Sequence, residues 1–104
     1  MRKVVMKLGL TYDTTPEQMQ KAIQILESMP EKIEEIDEEV LVGFTEFANF
    51  SLNITFIFWI KKESHIFYTP SLVNMQILKE FNENGLNFAF PTQTIHIEKE
   101  EEIK

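Results

Sequence analysis

From Val4 to Leu10 every second residue is apolar: Val4, Met6, Leu8 and Leu10 alternate with Lys3, Val5, Lys7 and Gly9. A period of two belongs to a strand with one buried face and one open face, so the chain is expected to begin with a half-buried strand. The period then changes. Met19, Ala22, Ile23 and Leu26 recur at three- and four-residue spacing and mark the buried face of a helix. Ahead of them, Thr15 and Gln18 have the spacing of a capping box, Pro16 takes the first helical position, and Glu17 lies where the helix dipole favours an anion. Pro30 pushes Met29 out of helical geometry and is expected to end this helix. The acidic connection that follows, to about Glu39, reads as loop with room for one helical turn.

Residues 40–47 and 52–61 are rich in aromatic and β-branched side chains and read as two strands, joined across Ala48, Asn49, Phe50 and Ser51 in an antiparallel hairpin. Pro70 and Ser71 are expected to open a second helix whose Val73, Ile77, Leu78 and Phe81 share a face. Gly85 followed by Leu86 is the ending of a Schellman cap. Residues 87–90 read as strand, Pro91 interrupts the ladder because it has no N–H to donate, and residues 94–98 resume an extended pattern before a charged tail. The order strand, helix, strand, strand, helix, strand predicts an α+β fold, the ferredoxin-like βαββαβ sandwich, with a short additional C-terminal strand. Four antiparallel strands with both helices on one face leave the other sheet face uncovered. Along the longest strand Leu52, Ile54, Phe56, Phe58 and Ile60 form a wholly apolar side that should meet the helices; Ile57 and Trp59 point the opposite way and are candidates for an open-face interface.

A length of 104 residues gives one domain over residues 1–90, followed by a C-terminal strand and acidic tail over 91–104. The absence of cysteine removes thiol catalysis, disulfides and cysteine-based zinc sites. The longest apolar run, Phe56 to Ile60, falls far short of the roughly 20 residues that cross a bilayer, so the piece itself is expected to be soluble. A net charge of −7 has the wrong sign for a phosphate backbone, so nucleic acid is not an expected partner. Glu27, Glu31, Glu34, Glu35, Asp37, Glu38 and Glu39 crowd one stretch and Glu98, Glu100, Glu101 and Glu102 the tail; both read as solvated segments, since the glycine and ligand spacing of a calcium loop are missing. His65 and His96 have no carboxylate or second histidine at ligand spacing, which argues against a metal site. Ser51, Ser64 and Ser71 lack nucleophile-elbow glycines, and there is no glycine-rich phosphate loop. No catalytic residue, cofactor or metal is therefore expected, and the chain is not read as an enzyme.

Four segments together resemble one family. Gly9-Leu10-Thr11-Tyr12-Asp13-Thr14-Thr15-Pro16-Glu17 is similar to the strand-to-helix entry of the carboxy-terminal domain of small-conductance mechanosensitive channels, the MscS family. Phe44-Thr45-Glu46-Phe47 with Ser51-Leu52-Asn53-Ile54 resembles the family's hairpin, Phe58-Trp59-Ile60 the end of its second arm, and the run from Phe88 through Pro91-Thr92-Gln93 to Ile97 its terminal segment. The sequence departs from the pattern at Asn49-Phe50, where many members have Asp-Ser, and at Ala89, where many have proline. The likeness covers nearly the whole chain.

The resemblance implies a piece of a longer membrane protein, since family members carry transmembrane helices and a small β domain ahead of this region. The expected role is a domain of the vestibule on the cytoplasmic side of the inner membrane, a cage through whose portals ions and small solutes filter. By resemblance its partners are other copies of the same subunit, seven in the full-length channel, with contact to the membrane only through the upstream helices. Thr94, Ile95, His96, Ile97 and Glu98 would then join their equivalents in a parallel intersubunit barrel; such pairing removes the liability of an exposed edge. The alternative is a free-standing ferredoxin-like module that binds a small effector or dimerises through its open sheet face, and fold alone does not separate the two.

Overall fold

The structure, a computed structural model, describes residues 1–89. Strand β1 (Arg2–Leu10) leads into helix α1 (Pro16–Glu27) and a single further turn, α2 (Met29–Lys32); strands β2 (Leu41–Phe47) and β3 (Leu52–Ile60) follow, then helix α3 (Tyr68–Glu83). The three strands form one antiparallel sheet in the order β1-β3-β2. Arg2 faces Ile60 and Leu10 faces Leu52 across β1 and β3, while Leu41 faces Ile57 and Phe47 faces Leu52 across β2 and β3. The register slips between Phe44 and Glu46, a bulge that bends β2 near the hairpin tip. The tip closes with Ala48 N–H donating to the Ser51 carbonyl at 2.9 Å.

The expected fourth strand is present among the described residues only as one antiparallel bridge, Leu10 to Phe88, on the free edge of β1. Thr11 donates to Asn87 O at 3.0 Å and Ala89 to Gly9 O at 2.9 Å. A second bridge, Ile36 to Ile60, lays the acidic connection against the end of β3, where Asp37 donates to Trp59 O and Lys61 to Glu35 O.

Local chemistry sets the element ends. The capping box at α1 is complete: Gln18 N–H donates to Thr15 Oγ1 at 3.1 Å and Thr15 N–H to Gln18 Oε1 at 2.9 Å. Helix α1 stops at Glu27, but Pro30 does not stop helical geometry altogether; it sits in the first turn of α2, where its missing N–H costs nothing. Helix α3 begins at Tyr68, two residues before Pro70, for the same reason, and His65 Nδ1 accepts from the amides of Phe67 and Tyr68 at 3.1 and 3.4 Å. At the other end Gly85 takes φ 67°, and Leu86 N–H reaches Phe81 O while Gly85 N–H reaches Asn82 O, the two bonds of a Schellman cap.

The core is one cluster between the sheet and both helices. Along β3 burial alternates without exception, with Leu52, Ile54, Phe56, Phe58 and Ile60 on the helix side. Met19, Ala22, Ile25 and Leu26 of α1 and Val73, Ile77 and Phe81 of α3 join the same cluster. Two sequence expectations need correction here. Ile23 is only half-buried, at the margin of the α1 stripe, and Ile25 takes the inner place. Leu78 is exposed because the α3 stripe advances in steps of four through Thr69, Val73, Ile77 and Phe81, and a residue one position on lies about 100° further round the helix. Met29, Ile33 and Ile36, embedded among the acids, are buried and belong to the core.

Candidate assembly surfaces

The sheet face turned away from the helices carries the odd-numbered residues of β3 and their cross-strand partners. Val5, Ile57 and Leu41 stand in one row across the three strands. Val5 and Leu41 are 56% and 53% exposed, and Ile57 between them is half-buried. Trp59 is also half-buried, opposite Lys3, on the same face. Toward the hairpin tip the face becomes polar: Thr55 shares a 2.7 Å hydrogen bond with Thr45, and Asn53 Nδ2 donates to Glu46 at 3.0 Å. The candidates Ile57 and Trp59 therefore lie on one uncovered face, Ile57 within the apolar row and Trp59 in the next row, opposite Lys3. The second candidate set, Thr94, Ile95, His96, Ile97 and Glu98, lies outside the described residues.

Sequence reasoning missed two further apolar surfaces. At the hairpin end a groove of about 470 Å³ is lined by Tyr12, Pro16, Met19, Ile23, Phe44 and Phe47, among others. The Phe44 and Phe47 rings meet edge to face at 4.9 Å, and the Tyr12 hydroxyl donates to Ala48 O, tying the β1–α1 loop to the hairpin tip. At the opposite end of β3, Ile66, Phe67 and Tyr68 project from the loop that enters α3. The available signal was the apolar run ahead of Pro70, which obeys neither a strand nor a helix period.

Among the described residues one ion pair joins two elements. Lys32 Nζ lies 2.7 Å from both carboxylate oxygens of Glu80, joining α2 to α3, and Gln76 Nε2 donates to the same carboxylate. Burial pushes the Glu80 carboxyl up, but the hydrogen bonds from Lys32 and Gln76 and the charges of Lys32 and Lys79 outweigh it and hold its pKa below the usual value. Among the described residues, no three His, Asp or Glu side chains are placed together to hold a metal ion, and no helix is long and apolar enough to cross a membrane.

Comparison with known proteins agrees with this geometry. The sequence model of the family "Mechanosensitive ion channel MscS, C-terminal" matches residues 4–88. The large-conductance mechanosensitive channel MscMJLR of Methanocaldococcus jannaschii is 34% identical over 105 residues, and the small-conductance channel MscMJ of the same organism 31% over 101. Each alignment covers 95% of this chain and 29% of the relative, so the chain spans less than a third of their length. The crystal structure of Helicobacter pylori MscS in the closed state superposes with a TM-score of 0.73 at 27% identity, over 95% of this chain and 39% of that one. The chain belongs to the MscS family of mechanosensitive ion channels and corresponds to the family's carboxy-terminal domain.

Proposed function

We propose that this domain is a wall element of the cytoplasmic vestibule of a mechanosensitive channel, serving subunit assembly and the filtering of solutes on their way to a pore that lies elsewhere in the full-length protein. The observation that carries the reading is the fold match to a closed MscS channel over 95% of the chain. A sheet with one face covered by helices and the other bearing the Val5, Ile57 and Leu41 row supports it, since such a face is suited to contact with a neighbouring subunit or domain. In this reading Thr94, Ile95, His96, Ile97 and Glu98 form one stave of a seven-stranded parallel barrel, and the domain hangs on the cytoplasmic side of the inner membrane.

Length dependence tests the assembly role. A short strand offers few backbone bonds against the entropic cost of association, and the glutamates at 98 and 100–102 would crowd together in a parallel ring. The 104-residue chain is therefore expected to be mainly monomeric by light scattering in dilute solution, and the full-length protein heptameric. Ending the full-length protein at Phe90 should weaken the heptamer; an unchanged assembly contradicts the role given to residues 94–98, and a stable heptamer of the 104-residue chain contradicts the need for upstream domains.

The second reading, a module that binds a small effector, has one observation in its favour, the apolar groove between α1 and the hairpin tip. Saturable binding of an apolar small molecule there, lost in Phe44→Asp, would support it.

A further inference from the structure

We propose that the patch formed by Ile66, Phe67, Tyr68 and Leu72 is the seat of the polypeptide that directly precedes this domain in the full-length channel. The inference rests on the reading of the chain as the carboxy-terminal part of a longer protein and adds to it a specific internal interface. Three of the four are among the most exposed apolar side chains described: Phe67 is 72% exposed, Tyr68 61% and Ile66 54%. Leu72, one helical turn beyond Tyr68 on α3, extends the patch at 44%.

The patch is held in shape. His65 Nδ1 accepts from the amides of Phe67 and Tyr68, and Thr69 N–H donates to His65 O at 3.0 Å. The Phe67 and Tyr68 rings meet edge to face at 5.0 Å, and the His65 ring lies 4.7 Å from that of Tyr68. Directly behind them Thr69 is buried, which anchors the loop to the core. Large apolar rings fixed in this way, a few residues after the exposed charged side chains Lys61, Lys62 and Glu63, have the make-up of an interface centre.

Topology selects the occupant. Arg2 pairs with Ile60, so β1 begins at the end of the sheet where β3 stops, and β3 runs on through Lys61 directly into the loop that bears the patch. Polypeptide arriving at β1 therefore enters at the same end of the sheet as the loop that bears Phe67 and Tyr68, whereas the groove and the hairpin tip lie about 26 Å away at the far end of β3. The matched family segment is the C-terminal one, and about 70% of each relative lies outside the alignment with this chain. A tethered segment meets the patch at an effective concentration of order millimolar, which a second copy in dilute solution does not reach.

The absence of cysteine in these 104 residues allows a direct test with single reporters. Ile66→Cys and, at the opposite end, Phe47→Cys are made in the 104-residue chain and in the full-length protein, with any upstream cysteine replaced by serine, and their rates of modification by a soluble maleimide are compared. The expected result is at least a tenfold slower reaction at residue 66 in the longer protein, with residue 47 equally reactive in both. Equal rates at residue 66 in the two lengths, or equal slowing at both positions, overturn the proposal. So does protection of residue 66 that rises with protein concentration in the 104-residue chain, or that is lost when the full-length protein is dissociated into single subunits in detergent, since a second copy is then the occupant. Hydrogen exchange over residues 64–69 in the unsubstituted proteins gives the same reading without a reporter and should be slower in the longer one. Failure of the channel reading shows separately, as a full-length protein that passes no tension-gated current.

Discussion

Phe56 lies in the central strand opposite Met6 on one side and Val42 on the other, with no surface left to water, and its ring sits 5.1 Å from that of Phe58. Removing it leaves a cavity that the sheet is poorly able to close, so Phe56→Ala should cost about 3 to 5 kcal/mol in chemical denaturation. A loss below about 1 kcal/mol would contradict the placement of the core. This residue was legible from sequence because only one side of the strand is apolar throughout, Asn53 and Thr55 marking the other as outer. Thr15, Gln18 and Gly85 were legible for a different reason: a cap is fixed by the chemistry of three or four neighbouring residues. Ile23 and Leu78 were misplaced because, at the margin of a helical stripe, tertiary packing and not periodicity decides which of two adjacent apolar residues turns inward. Ile33 and Ile36 went unread because the acids around them dominate the local pattern.

Secondary-structure elements are tied together here mainly by apolar contact, and the Lys32–Glu80 pair between α2 and α3 is the exception that pH can address. With the folded pKa of Glu80 held below its usual value of 4.5, the pair contributes stability above that value and loses it as pH falls through the lowered pKa. Lys32 is partly exposed, so the effect is modest, about 1 kcal/mol or less. Urea midpoints for the wild type and Glu80→Gln should differ at pH 7 and converge as pH is lowered toward 3. A constant gap over that range would show that the charge of Glu80 is not what joins the elements. Element order and the hairpin were legible in the sequence, whereas the beginning of α3 was not, since a proline satisfies any of the first helical positions equally well. Residues 87–90 were read as a fourth strand, but among the described residues it amounts to a single bridge to β1.

At the scale of the whole molecule, a sheet covered on one side only carries a row of half-exposed aliphatic residues on the other, and an aromatic patch projects at the end of the sheet where β3 stops. The open face was foreseen because an order of strand, helix, strand, strand, helix, strand puts both helices on one side of the sheet. The aromatic patch was not, because its exposure depends on how α3 docks, which no local pattern encodes. The account stands or falls on whether the full-length protein is a channel gated by membrane tension. The direct measurement is single-channel recording from liposome patches containing the full-length protein while suction is raised. Stepwise currents that appear above a threshold tension and vanish on its release are the predicted result; patches that hold the purified, folded protein and stay silent up to the tension at which the bilayer ruptures would contradict it.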